Sequence, residues 1–155
     1  MKIPFLATFI CILSGLLLLS CNDDSCIDET EAYLKISFYN NTSLKLAAPD
    51  SLTVYGLNKE TDKLYKNETN VQPALLPLNA AADNCTYIIR INGIADTLRL
   101  SYSNYPHLIS KECGYTFFHD LFSDSLVYTT AGIDSIKITK NSITTANEEN
   151  LRIFY

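Results

Sequence analysis

The stretch Cys85-Thr86-Tyr87-Ile88-Ile89-Arg90-Ile91-Asn92-Gly93, followed closely by Thr97-Leu98-Arg99-Leu100-Ser101-Tyr102-Ser103, decides the fold. Tyr87, Ile89 and Ile91 share one side of the first segment, and Leu98, Leu100 and Tyr102 share one side of the second. A side-chain period of two is that of a strand with one buried face. Asn92-Gly93 is the dipeptide that accepts positive φ at both centres of a tight hairpin turn. The two segments therefore read as an antiparallel hairpin with one apolar face.

The same pattern recurs on either side. Tyr33 to Tyr39 alternates with Leu34, Ile36 and Phe38 on one face, and Asn40-Asn41-Thr42 ends it. Leu52 to Leu57 is a second strand, closed by the polar run Asn58-Lys59-Glu60-Thr61-Asp62, and Leu64-Tyr65 begins a short one. Pro73 and Pro77 bracket Ala74-Leu75-Leu76, which confines that piece to a sheet edge or an extended loop, because proline donates no ladder hydrogen bond. Downstream, Pro106 follows the hairpin, Ile109 to Phe118 reads as extended, and His119 to Asp124 reads as a turn or a single helical turn. Leu126–Thr129, Ile133–Thr139 and Leu151–Tyr155 complete the strands, with Asn147-Glu148-Glu149-Asn150 as the last loop. Eight or nine short strands without a long helical period predict an all-β antiparallel sandwich, immunoglobulin-like in broad architecture.

The N-terminus carries a different signal. Lys2 precedes an apolar run, Ile3 to Leu19, interrupted only by Pro4, Thr8, Ser14 and Gly15. A positive start and an apolar core of this length describe a signal peptide. An uncleaved membrane helix competes, since the run reaches the lower limit of a bilayer span. Leu18-Leu19-Ser20-Cys21 favours cleavage, because it resembles the bacterial lipobox: an aliphatic residue, a tolerant position, a small residue, then the cysteine whose thiol receives diacylglycerol. Each buried acyl carbon contributes roughly 0.8 kcal/mol, so several chains on Cys21 hold a protein to a bilayer. The expected organisation is a signal helix over 1–20, a lipidated acidic stem over 21–31 and the sandwich over 32–155.

Charge narrows the partners. Removing Lys2 from a formal net charge of −5 leaves −6. Such a surface disfavours nucleic acid, whose phosphates require clustered Lys and Arg, and disfavours a basic hold on anionic lipid. Asn22-Asp23-Asp24 directly after Cys21 resembles the surface-export signal of Bacteroidetes lipoproteins, against the plainer reading of a solvated tether. The expected location is the outer membrane, on its periplasmic face or at the cell surface.

Cys26, Cys85 and Cys113 remain after Cys11 is removed and Cys21 is acylated. An oxidising compartment predicts one bridge and one leftover thiol, with three possible pairings. Cys26–Cys113 is favoured, since it would tie the start of the domain to a strand near its end. Cys85 would then be a small buried hydrophobe.

The Cys21-to-Cys26 spacing, the strand Leu34–Phe38, Pro77-Leu78 before a strand, Asp96 to Tyr102, Ser110 to Gly114 and the terminal Asn150 to Tyr155 form a set. Together they resemble a family of small Bacteroidetes lipoproteins carrying the domain of unknown function numbered 6452. The resemblance covers nearly all of the mature chain and rests on strand patterning and a Cys-Gly pair. In that family the cysteines matching Cys26 and Cys113 recur, which supports the favoured bridge, and Cys85 has no counterpart. The resemblance implies compartment and fold, and no activity.

Four tripeptides, Asp50-Ser51-Leu52, Asp96-Thr97-Leu98, Asp124-Ser125-Leu126 and Asp134-Ser135-Ile136, resemble the O-glycosylation site of exported Bacteroidetes proteins. Ser51, Thr97, Ser125 and Ser135 are the candidate acceptors. The competing reading is that Asp and Ser favour turns and an aliphatic residue then opens a strand. No catalytic, cofactor-binding or metal-ligating set is expected. The two histidines, His107 and His119, come with no Gly-x-Ser-x-Gly elbow and no glycine-rich phosphate loop. The leading expectation is a non-enzymatic envelope lipoprotein, anchored through Cys21, that binds a partner protein or serves as an accessory subunit. The alternative is a surface module that binds a glycan or other ligand through exposed members of the tyrosines spread along the strands, Tyr33, Tyr39, Tyr55, Tyr87, Tyr102, Tyr105, Tyr115 and Tyr128.

Overall fold

The structure, a computed structural model, describes residues 25–155. The leader over 1–20 and the lipidation candidate Cys21 lie outside the described residues.

Alternation produces strands wherever it was read. They are β1 (Tyr33–Tyr39), β2 (Leu52–Gly56), β3 (Lys63–Glu68), β4 (Ala74–Pro77), β5 (Asn84–Ile91) and β6 (Ile94–Ser110). The remainder are β7 (Gly114–Leu121), β8 (Val127–Tyr128), β9 (Ser135–Ile138), β10 (Ser142–Ile143) and β11 (Leu151–Phe154). One sheet has four strands in the order β4-β1-β11-β9. The other runs β10-β7-β6-β5-β2-β3, and β8 adds to β6. The predicted inward faces meet between the sheets. Leu34, Ile36 and Phe38 from β1 pack with Leu76, Leu151 and Ile153 against Tyr87, Ile89 and Ile91 of β5 and Leu98, Leu100 and Tyr102 of β6. This is the expected all-β sandwich.

The hairpin of β5 and β6 forms as read, with Asn92 at φ 50° and Gly93 at φ 89°. Ile91 pairs with Ile94 across the turn, and the register continues without a break to Asn84 and Ser101. β4 lies at a sheet edge, where Pro77 pairs with Tyr33.

Three local features differ from the expectation. First, β1 and β11 pair in parallel, with Ile36 opposite Leu151 and Tyr39 opposite Phe154, while the other strand pairs among the described residues are antiparallel. The first and last strands of the sandwich can meet in this way because the whole chain lies between them. Second, β6 does not stop near Pro106 but continues to Ser110. From Tyr105 onward it pairs with β7 alone among the described residues, so its other edge is open there and the missing N–H of proline costs no ladder bond. Third, His119 to Leu121 extends β7, because His119 and Leu121 both point inward and are buried, and the helical turn is confined to Ser123–Ser125. The two-residue strand β10 was not anticipated, being too short to show a period.

Asn150, read as a loop residue, is 2% exposed and joins three segments. Its Oδ1 accepts from the Lys35 amide of β1 at 3.0 Å. Its Nδ2 donates to the Lys140 and Ser142 carbonyls at 3.2 and 2.9 Å. Its own amide donates to the Lys35 carbonyl at 3.0 Å. A buried carboxamide with every group paired fixes geometry that an apolar residue cannot. Asn150→Ala leaves the Lys35 amide and two carbonyls without partners, so it should lower unfolding free energy by about 2–4 kcal/mol in urea titrations, with the slope unchanged.

Candidate functional site

Two surfaces stand out once the sandwich is laid down: the far end of the β6–β7 hairpin, and a cleft at the end of the sheets. At the hairpin end, Cys113 sits in the turn between β6 and β7. Its amide donates to Ser110 Oγ at 3.0 Å, and Gly114 enters β7 with φ 71°, a conformation costly for any residue with a Cβ. Cys26 is bonded to Cys113, as favoured from the sequence, and the bridge closes a separation of 87 residues. Constraining a loop of that length stabilises by at most about 4–5 kcal/mol in the chain-entropy account. The segment leaving Cys26 then crosses one face of the hairpin, where Thr116 Oγ1 donates to the Thr30 carbonyl at 2.7 Å. On that face Phe118 is buried, with His107 stacked on it at 4.3 Å and Tyr105 edge-on at 6.1 Å.

The other face of the arm is open. Pro106 pairs with Phe117 and Leu108 with Tyr115, so these four side chains share one side. Leu108 and Phe117 are each 47% exposed and Tyr115 is 74% exposed. Ile27, beside the disulfide, is 91% exposed. Asp28 and Glu112 flank this end, with Lys111 as the basic residue of the turn.

The cleft, of about 540 Å³, lies between the β2–β3 turn, the end of β4 and the start of β5. Leu57, Lys59, Asp62, Leu64, Asn79 and Tyr87 contribute to its walls. Beneath it, the Tyr87 hydroxyl donates to the Pro77 carbonyl. The Tyr102 hydroxyl donates to the Asn79 carbonyl and accepts from the Asn79 amide, each at 3.1 Å. The free thiol of Cys85 lies in this wall, half-buried and packed against the core. Burial pushes its pKa up to about 12, outweighing its hydrogen bonds to Tyr87 and Tyr102. A thiol held so far above its ordinary value is a poor nucleophile at neutral pH.

The four Asp-hydroxyl tripeptides separate in space. Asp96 is 3% exposed, and its carboxylate organises the loop after β8. Oδ1 accepts from Thr129 Oγ1 at 2.6 Å and the Ala131 amide at 2.7 Å, and Oδ2 accepts from the Gly132 and Ile133 amides at 2.7 and 2.9 Å. Thr97 beside it is half-buried, and its amide donates to Thr129 Oγ1 at 2.9 Å. Ser51 is half-buried, with its hydroxyl turned to Asn67 and its amide donating to Asn92 Oδ1 at 3.1 Å. Ser125 belongs to the short turn Ser123–Ser125. Ser135 is exposed on β9, at the edge of the four-stranded sheet.

The histidines lie on opposite faces of the hairpin, since His107 pairs with Thr116 and His119 with Asn104. His119 is buried, its Nδ1 lies 2.6 Å from Asn104 Oδ1, and burial lowers its pKa against the opposing pull of Asp120. Among the described residues no three His, Cys, Asp or Glu side chains gather as metal ligands. Among the same residues no helix is long and apolar enough to cross a membrane.

Sequence reasoning missed the open face of the arm and the carboxylate cage. The first is hidden because Pro106 follows the alternation, and proline is confined to open strand edges. The second had a signal in Asp96, an acid on the inward-facing side of an apolar strand, which was absorbed into the turn-like tripeptide reading.

This architecture is a β-sandwich of two unequal sheets stapled by one disulfide. Residues 51–155 match the family of unknown function DUF6452, and the chain belongs to that family. No curated protein and no solved structure matches it. The matched region starts after β1 and Cys26, yet β1 lies between β4 and β11, so the folding unit begins upstream of it.

Burial alone would raise the Asp96 pKa, but the Thr129 hydroxyl and the three amides outweigh it and hold the carboxyl below its ordinary value. With the folded pKa below the unfolded one, this contribution is complete above the ordinary carboxylate range and is lost as pH falls through the lowered value. Asp96→Asn should therefore cost about 2–4 kcal/mol at neutral pH and flatten the loss of stability below about pH 4, read from urea unfolding at stepped pH. Cys85 should react with a soluble thiol reagent at least about tenfold more slowly in the folded protein than after unfolding.

Proposed function

We propose that this chain is a cell-envelope lipoprotein of the outer membrane, anchored by lipid on Cys21, with a non-enzymatic binding or accessory role. The observation that carries the reading is the Cys26–Cys113 bridge, which fastens the chain just after the lipobox onto the domain. A bridge of this kind persists in oxidising compartments, which is where the leader and Leu18-Leu19-Ser20-Cys21 would deliver the chain. The reactive side-chain types favour binding over catalysis. Asp96 is spent on four structural hydrogen bonds, His119 is buried against Asn104, and the Cys85 thiol is held protonated. The cleft is the surface on which a partner or ligand would meet the domain, with Leu57 and Leu64 as exposed apolar contacts and Lys59 and Asp62 as polar ones.

A second reading, a module that binds a glycan or small ligand, draws support from the volume of the same cleft. Among the tyrosines named for such a role, Tyr87 and Tyr102 have their hydroxyls turned to backbone. Tyr115 is the widely exposed one.

The intact mass of the protein from native membranes should correspond to a chain starting at acylated Cys21. An acyl-free or unprocessed N-terminus would remove the lipoprotein reading. Mild crosslinking in cells should then capture one dominant envelope protein, and Leu57→Asp should lose it. Capture unchanged in that variant would discard the cleft as the contact, and glycan retention in an affinity gel, lost in the same variant, would favour the second reading.

A further inference from the structure

We propose that the end of the β6–β7 arm is a membrane contact: Tyr115, Phe117, Leu108 and Ile27 rest in the interface of a zwitterionic bilayer and set the orientation of the domain. The inference rests on the lipoprotein reading above and deepens it.

The first support is the length of the tether. Cys21 and Cys26 are five residues apart, so even a fully extended chain between them spans at most about 18 Å. Cys26 is bonded to Cys113, in the turn at the tip of the arm. Acyl chains on Cys21 would thus keep this end of the molecule within about 18 Å of the bilayer.

The second support is what that end presents. Phe117 and Tyr115 lie opposite Pro106 and Leu108 on one side of the arm, and Ile27 adjoins the disulfide. The side chains Leu98, Leu100 and Tyr102, on the same side of β6 nearer its start, are buried by the facing sheet. The arm carries that apolar stripe past the sandwich, where no third strand among the described residues flanks it between Tyr105 and Phe118. Contiguous exposed apolar groups of this kind mark interaction surfaces. A tyrosine beside aliphatic and phenyl groups suits the headgroup boundary, where one end of the ring is apolar and the other wet.

Charge selects the lipid. Asp28 and Glu112 lie beside Ile27 and the disulfide at this end, against Lys111, which leaves it net acidic. An acidic rim is repelled by anionic headgroups, so the contact is apolar insertion among neutral headgroups and should be insensitive to salt.

The chain contains no Trp, so a single substitution gives a clean fluorescent reporter. Tyr115→Trp and Val127→Trp would be made in the full chain, purified in acylated form from membranes and reconstituted into phosphatidylcholine vesicles containing brominated lipid. Val127 is exposed on β8 and pairs with Arg99, nine residues up β6 from Leu108, about 30 Å along the strand. Emission from the Tyr115→Trp protein should be blue-shifted and quenched at least about twofold more than that from Val127→Trp, equally at low and high salt. Equal quenching at both positions, or none at Tyr115→Trp, in a protein whose mass carries the acyl chains would overturn the inference and leave the lipoprotein reading intact. A mass without acyl chains would remove the reading and the inference together.

Discussion

The sandwich depends on β1 finding a partner on each edge. Its backbone bonds to β4 on one side and to β11 on the other, so the four-stranded sheet has no continuous ladder without it. Leu34, Ile36 and Phe38 are each essentially inaccessible to solvent, and each contributes roughly 1.5–3 kcal/mol of burial. The pairing with β11 joins positions more than a hundred residues apart, such as Ile36 and Leu151. Closing a separation this long costs more chain entropy than pairing strands that are neighbours in sequence. The sheet is thus completed when the first strand and the last meet.

Two polar side chains hold that arrangement from inside. Asn150 locks the approach of the last strand to β1 and to the chain at the start of β10. Asp96 does the same for the loop that leads from β8 toward β9, which crosses from one sheet to the other. Both lie where the chain leaves regular structure and backbone amides or carbonyls would otherwise be buried unpaired, so a side chain with several acceptors or donors replaces the missing ladder. On the outside of the parallel pair, Glu149 links Arg152 at 2.5 Å and the Tyr39 hydroxyl at 3.0 Å, and the Arg152 guanidinium lies over the Tyr39 ring.

The two candidate surfaces divide along β6. Its first half is core, paired with β5, and near its middle Tyr102 supports the cleft through Asn79. Its second half leaves the sandwich with β7 as a two-stranded arm, which is marginal in water unless tied down. The disulfide and the segment crossing Phe118 supply that restraint. One long strand therefore links the end carrying the bridge to the body carrying the cleft, pairing first with β5 and then with β7.

Most of the strands were legible because alternation is a local property: the inward faces of β1, β5 and β6 and the Asn92-Gly93 turn follow from side chains two residues apart. The Cys26–Cys113 bridge was one of three pairings by residue count and was favoured correctly. The parallel pairing of β1 with β11, the hub at Asn150 and the cage around Asp96 could not be read, because each joins groups far apart in the chain. The arm makes the distinction plain. Leu98, Leu100, Tyr102, Pro106 and Leu108 lie on one side of one strand. The first three are buried and the last two exposed, because the opposing sheet ends before the strand does. Sequence determined which side chains face the same way; only the tertiary structure decided where that face stops being a core.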